Sequence, residues 1–195
     1  MRKRICVDTG YFETFNLPHV RLVDLKKAPI DRFEAAGARV GGELIALDAL
    51  VCATGYDALS GAVMAIDIVG RGGLRMRDKW AAGPRSLLGI MSAGFPNLFT
   101  ITGPQSPSVL SNMPVSIEQH VEWVADCIEH LEKNGRRTIE AQPQAQSDWV
   151  AHVNEIVNMT LMVGANSWYM SANIPGKPKA FLPYLCPEGV GGYRK

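Results

Sequence analysis

Asp48-Ala49-Leu50-Val51-Cys52-Ala53-Thr54-Gly55-Tyr56-Asp57 runs without a polar side chain from Ala49 to Ala53 and then meets a glycine. A short apolar run closed by a turn signal has the pattern of a β-strand buried on both faces, stopping where the backbone bends sharply. Upstream, Val20-Arg21-Leu22-Val23 reads as a short strand. Residues 33–40 alternate loosely, Gly41-Gly42 supply positive φ, and Glu43 to Leu47 returns, which predicts a hairpin. Downstream, Phe95 to Thr102 repeats the pattern of an apolar strand and ends at Gly103-Pro104. Two buried strands that each finish in a glycine turn invite a ligand at their carboxyl ends, as in open α/β sheets.

The clearest helix is predicted over Ser116–Lys133, where Ile117, Val121, Val124, Ile128 and Leu131 recur every three or four residues on one face. Ser116 with Gln119 fits a capping box, and Lys133-Asn134-Gly135 gives a basic last turn followed by a C′ glycine. A second helix is predicted from about Ser147, with Trp149, Val153, Ile156 and Thr160 inward. Asp67 to Arg77, around Gly70-Arg71-Gly72-Gly73, suits a small hairpin or irregular loop, and the Pro- and Gly-rich tail from Asn173 onward reads as coil. The class is α/β. Strands separated by long irregular segments do not close a doubly wound sheet through the usual short connections, so the fold looks incomplete.

Composition narrows the function classes. Twenty basic and nineteen acidic residues leave a net charge of +1, with no polybasic block for nucleic acid or an anionic membrane. Cys6, Cys52, Cys127 and Cys186 form no Cys-x-x-Cys pair and read as reduced, buried thiols. His120, His130 and His152 have no metal-ligand spacing; they read as solvated or capped side chains, and no metal is expected. The basic start meets Asp8 before an apolar run of leader length develops, which points to a cytoplasmic protein.

Several segments in order carry a resemblance. They are Lys3-Arg4 followed by Asp8-x-Gly10-Tyr11-Phe12-Glu13-x-Phe15-Asn16, then Ala53-Thr54-Gly55, then residues 103–113 continuing through Ser116 to Trp123, and then residues 167–177, Ser-Trp-Tyr-Met-Ser-Ala-Asn-Ile-Pro-Gly-Lys. Together they resemble the C-terminal part of the Baeyer–Villiger monooxygenases, class B flavoproteins of the phenylacetone and cyclohexanone type. The resemblance implies a two-dinucleotide-binding-domain flavoprotein, Rossmann-like for FAD and NAD(P). Residues 1–19 would end the NADP-binding region and return the chain, and residues 20–195 would be the C-terminal portion of the FAD-binding domain. It implies FAD and NADPH as cofactors, and conversion of a ketone with O2 to an ester or lactone through a C4a-peroxyflavin.

The same resemblance implies roles for single residues. Arg4 would be catalytic, a permanent cation for the charge that develops on oxygen in a site without water. Lys3 would meet the phosphorylated ribose of NADP, and Trp168 the nicotinamide nucleotide. Thr54, Gly55, Asn112 and Met113 would lie on the cofactor, and Ser108, Val109 and Leu110 would line the substrate pocket. On local grounds alone a terminal arginine is a solvated charge, a strand-end glycine a plain turn, and Met113 a packing residue before a helix.

Neither glycine cluster, residues 70–73 nor 189–192, has the Gly-x-Gly-x-x-Gly spacing or the strand-then-helix setting of a pyrophosphate cradle. The expected partner is therefore an N-terminal portion of the same enzyme, with uncovered sheet edges and apolar faces where that portion is absent. Two other functions fit less of the pattern: a class B monooxygenase acting on nitrogen or sulfur, and an interaction module without catalysis.

Overall fold

Gly41 and Gly42, at φ 55° and 85°, form the two-residue turn between strand β2 (Gly37–Val40) and strand β3 (Glu43–Ala46). Positive φ at both central positions matches the twist of an antiparallel pair, which is why two glycines stand there. Strand β1 (Ile30–Glu34) pairs with the other edge of β2, giving a three-stranded antiparallel sheet in the order β1-β2-β3. Ala38 and Val40 on β2 are its buried residues, while Phe33, the partner of Ala38, and Leu44 stay exposed. Arg39 crosses the edge to Glu34, Nε to Oε1 at 2.7 Å.

The computed structural model describes residues 7–107 and 111–194, and it divides after Gly55 into two compact units. The smaller holds the sheet and a one-turn helix α1 (Tyr11–Thr14). The larger contains helices α2 (Gly61–Ala65), α3 (Met76–Lys79), α4 (Met113–Lys133), α5 (Pro143–Asn158) and α6 (Gly189–Tyr193), with short 3₁₀ turns between them. The expected α/β class holds as a mixed α/β chain.

Three apolar clusters make the core of the larger unit. Val153, Ile156 and Val157 of α5 pack with Met162, Tyr169, Phe181, Tyr184 and Leu185. Ile90, Met91, Ala93 and Ala141 pack under Phe99, Trp123 and Val124. Met76, Trp80 and Phe95 pack with Val63, Met64, Ile68 and Leu98.

Residues 80–107 thread between these clusters with no helix or strand, and buried backbone there still needs partners. Side chains supply them. Gln146 Oε1 accepts from Ala93 N at 2.9 Å, the Glu140 carboxylate from Gly94 N at 2.7 Å, and Gln105 Oε1 from Ser86 N at 2.9 Å. Asn97 behaves as a rung of sheet, accepting from Ile139 N at 3.0 Å and donating to Arg137 O at 3.1 Å. Gly89, at φ 71°, lies so close to Ser106 that a Cβ would fall 2.7 Å from its amide nitrogen.

Several expectations are corrected. Residues 48–53 form no strand and lie exposed, because among the described residues no neighbouring strand takes their backbone groups. Residues 20–23 and 95–102 also form no strand. The segment 33–40 is two strands with a turn at 35–36. Residues 67–77 close through one antiparallel bridge, Val69 to Arg75. Helix α4 begins three residues before Ser116 and α5 four before Ser147, each with a proline in its first turn, where a missing N–H costs nothing. The tail is not plain coil, since Phe181 to Leu185 are buried in the core.

Candidate functional site

The start of α4 sets the first part of the candidate site. Asn112 is the N-cap, in extended conformation at φ −74° and ψ 118°, and its exposed side chain makes no capping bond. Met113 follows as the first helical residue and is half-buried. The expected Ser116–Gln119 box does not form, since both residues lie inside the helix. Ser116 is fully buried with its Oγ 3.1 Å from Ser111 Oγ, and Gln119 Oε1 is buried with no hydrogen-bond partner among the described residues.

Trp168 sets the second part. It opens a 3₁₀ turn, Trp168–Met170, and the residue stays 37% exposed while its ring packs edge-on against Tyr169, centroids 4.3 Å apart. Ser167, beside it, is buried with Oγ lacking a partner among the described residues. Half-exposed aromatic ring, idle cap amide and orphaned hydroxyl are groups with unused capacity for a ligand.

The remaining residues read from sequence fall elsewhere. Thr54 and Gly55 end the smaller unit in exposed chain outside any helix or strand, with Gly55 in the left-handed region at φ 85°. Lys3, Arg4, Ser108, Val109 and Leu110 lie outside the described residues. Among those described, no hydrogen bond or ring contact links Asn112 or Met113 to Trp168.

Sequence reasoning missed two side-chain clusters in the larger unit. His120, expected to be a solvated or capped side chain, is fully buried. Its Nδ1 accepts from Thr102 N at 2.9 Å and its Nε2 lies 3.0 Å from Tyr193 Oη, which donates to Leu88 O. Burial lowers its pKa to about 4 and pushes the Tyr193 phenol up. The signal was present in the i, i+3, i+4 spacing of Ser116, Gln119 and His120, a polar stripe beside the apolar one. The second cluster is Lys177 with Asp57 and Ser60. Its members are ordinary polar residues more than a hundred positions apart, and no local pattern marks them.

A cavity of about 380 Å³ is lined by Trp149, His152, Tyr184 and Tyr193, and includes none of the expected catalytic, cofactor or substrate residues. The thiols are free among the described residues but not deeply buried: Cys52 is exposed, Cys127 and Cys186 are half-buried. Burial raises the pKa of both half-buried thiols, so neither has the lowered value of a nucleophile. No helix among the described residues is long and apolar enough to cross a membrane.

No protein-family model matches the chain. Over 193 residues, 98% of the chain, it is 43% identical to a Baeyer-Villiger monooxygenase from Pseudooceanicola batsensis and 41% identical to a cyclohexanone 1,2-monooxygenase from Acinetobacter sp. It is 39% identical over the same length to a phenazine N-monooxygenase from Lysobacter antibioticus. The chain spans about a third of the length of these relatives, 35% in each case. Among solved structures, a closed cyclohexanone monooxygenase superposes with a TM-score of 0.92 at 44% identity, over 98% of this chain and 36% of that one. A complex of OTEMO with FAD and NADP superposes at 0.89 with 34% identity, over 99% of this chain and 35% of that one.

Proposed function

The chain belongs to the Baeyer–Villiger monooxygenase family, and from that premise we propose that it supplies one wall of a ketone-oxygenating site whose nucleotide cradles lie in the other two thirds of such an enzyme. The observation that carries this reading is the match along 98% of the chain at about 40% identity, with the motif segments in order. In it the mixed α/β chain is the C-terminal part of a two-dinucleotide flavoprotein. Residues 1–19 end the NADP-binding region, and residues 20–195 belong to the FAD-binding domain.

The residues present fit a wall and not a phosphate cradle. An uncapped Asn112 amide, the half-buried Met113 thioether, the Trp168 ring and the unpartnered Ser167 hydroxyl suit the edge of a flat cofactor and a ribose. FAD reduced by NADPH supplies the oxygen-transfer chemistry when bound. The chain's own part is charge, orientation and exclusion of water. Arg4 presents a fixed cation to the negative charge that develops on the ketone oxygen, and Lys3 a point charge to the ribose phosphate of NADP. Trp168 would hold that nucleotide, Thr54 and Gly55 would serve the flavin, and Ser108, Val109 and Leu110 would border the ketone.

The test replaces the corresponding third of the Acinetobacter cyclohexanone monooxygenase with residues 1–195. The product should retain FAD through purification and turn a ketone into an ester or lactone with NADPH and O2. Arg4→Ala should lower that rate by about 10²-fold or more with FAD still bound. A flavin-free or inactive product would overturn the reading in favour of an interaction module. A second reading, oxygenation at nitrogen, rests on the likeness to the phenazine N-monooxygenase. Amine oxide formed without ester from any ketone would favour it.

A further inference from the structure

Residues 168–182 form a closed loop in the larger unit. Its base is tied by Leu182 N donating to Tyr169 O at 2.8 Å and Ala180 N to Met170 O at 3.2 Å. Trp168 stands at this base, against a Tyr169 that is 2% exposed. At the apex two side chains reach segments far away in sequence. Asn173 Nδ2 donates to Tyr56 O at 3.1 Å, and Lys177 Nζ donates to the Asp57 carboxylate and to Ser60 Oγ, the latter at 2.8 Å.

The Lys177 side chain keeps only 13% of its exposure, and Ser60 keeps none. A loop lysine ordinarily leaves its ammonium in water, because desolvating the charge is costly unless a counter-charge and hydrogen bonds replace the lost hydration. Here a carboxylate and a hydroxyl occupy two of the three donors. Pairs of this kind add little net stability, and their best-attested use is to fix one register against others. The register fixed here sets the 168–182 loop on Tyr56–Ser60, the residues that directly follow Thr54-Gly55 in sequence.

We propose that Lys177 is a positioning residue which, paired with Asp57, pins the apex of the 168–182 loop and so presents Trp168 to a nicotinamide nucleotide. This rests on the reading of Trp168 given above. It separates two effects that a general loss of structure would merge. An unpinned loop costs nucleotide affinity, while a saturating nucleotide restores the loop and with it the turnover rate.

In the replacement enzyme described above, Lys177→Met should raise KM for NADPH and Kd for NADP about tenfold, with kcat at saturating NADPH within about twofold and FAD content unchanged. Asp57→Asn should do the same, and the double variant should add nothing further, as a shared interaction requires. Lys177→Arg, which keeps the charge, should recover most of the affinity. Unchanged nucleotide constants, or a raised KM accompanied by falling kcat and thermal stability without recovery by arginine, would overturn the proposal. Should the unsubstituted replacement enzyme hold no FAD, the functional reading falls, and the pin is then judged by chymotrypsin on the 195-residue chain itself. Faster cleavage after Trp168 in Lys177→Met than in Lys177→Arg supports the pin, and equal rates overturn it.

Discussion

His120 shows how two neighbours fix the state of one side chain. The Thr102 amide can only donate, so Nδ1 must accept and the ring proton sits on Nε2, facing a Tyr193 hydroxyl that passes its own proton toward Leu88 O. Adding a second proton would put two donors face to face at Nδ1. Burial holds the folded pKa near 4, below the unfolded value of about 6.5. Between those values the unfolded chain binds the proton and the folded one does not, so the stabilisation is complete above pH 6.5 and is lost as pH falls toward 4. The loss should reach about 3 kcal/mol, read as a falling denaturation midpoint, and His120→Gln should flatten the curve in that window. A slope unchanged by His120→Gln would refute this. Spacing puts His120 on one stripe with Ser116 and Gln119, but it does not say that the stripe is buried, because burial of a polar side chain depends on who donates to it across the fold.

Helix α4 carries two stripes, and the apolar one is covered only in part. Ile117, Val121 and Ile128 are 39%, 51% and 46% exposed, whereas Val124 of the same stripe packs on the Ile90 cluster and Leu131 is half-buried; beside it Ser116, Gln119 and His120 are buried and Trp123 packs against Phe99. Periodicity identified the helix and its apolar residues correctly. It could not say which face this chain covers, since that depends on the elements that arrive to pack there. Val121→Lys should therefore change the stability of this chain by less than about 0.5 kcal/mol. Trp123→Ala, leaving a cavity beside Phe99, should cost about 3 kcal/mol. Comparable losses in urea titrations of the two variants would show the assignment of faces to be wrong. The Gly41-Gly42 hairpin was legible for a different reason: a two-residue turn is set by its own φ values and needs nothing from elsewhere.

At the scale of the whole chain, the family segments were readable in order, whereas the strands at 48–53 and 95–102 were expected and are absent. A buried strand needs neighbours on both sides, and among the described residues no strand pairs with either segment. Leu50 at 52% exposure, Val51 at 86% and Tyr56 at 88% leave apolar surface in one segment. The chain alone should self-associate at micromolar concentration, and Val51→Lys should shift it toward monomer in light scattering. A monodisperse unsubstituted chain would count against this. The polar ties across residues 80–107 have a kinetic side as well. Helices α4 and α5 are local and form within microseconds, but Gln146 must find Ala93 across 53 residues and Lys177 must find Asp57 across 120. These closures come late, so refolding should proceed as early helix formation followed by a slower locking phase, and substitutions at Gln146 should speed unfolding far more than they slow refolding.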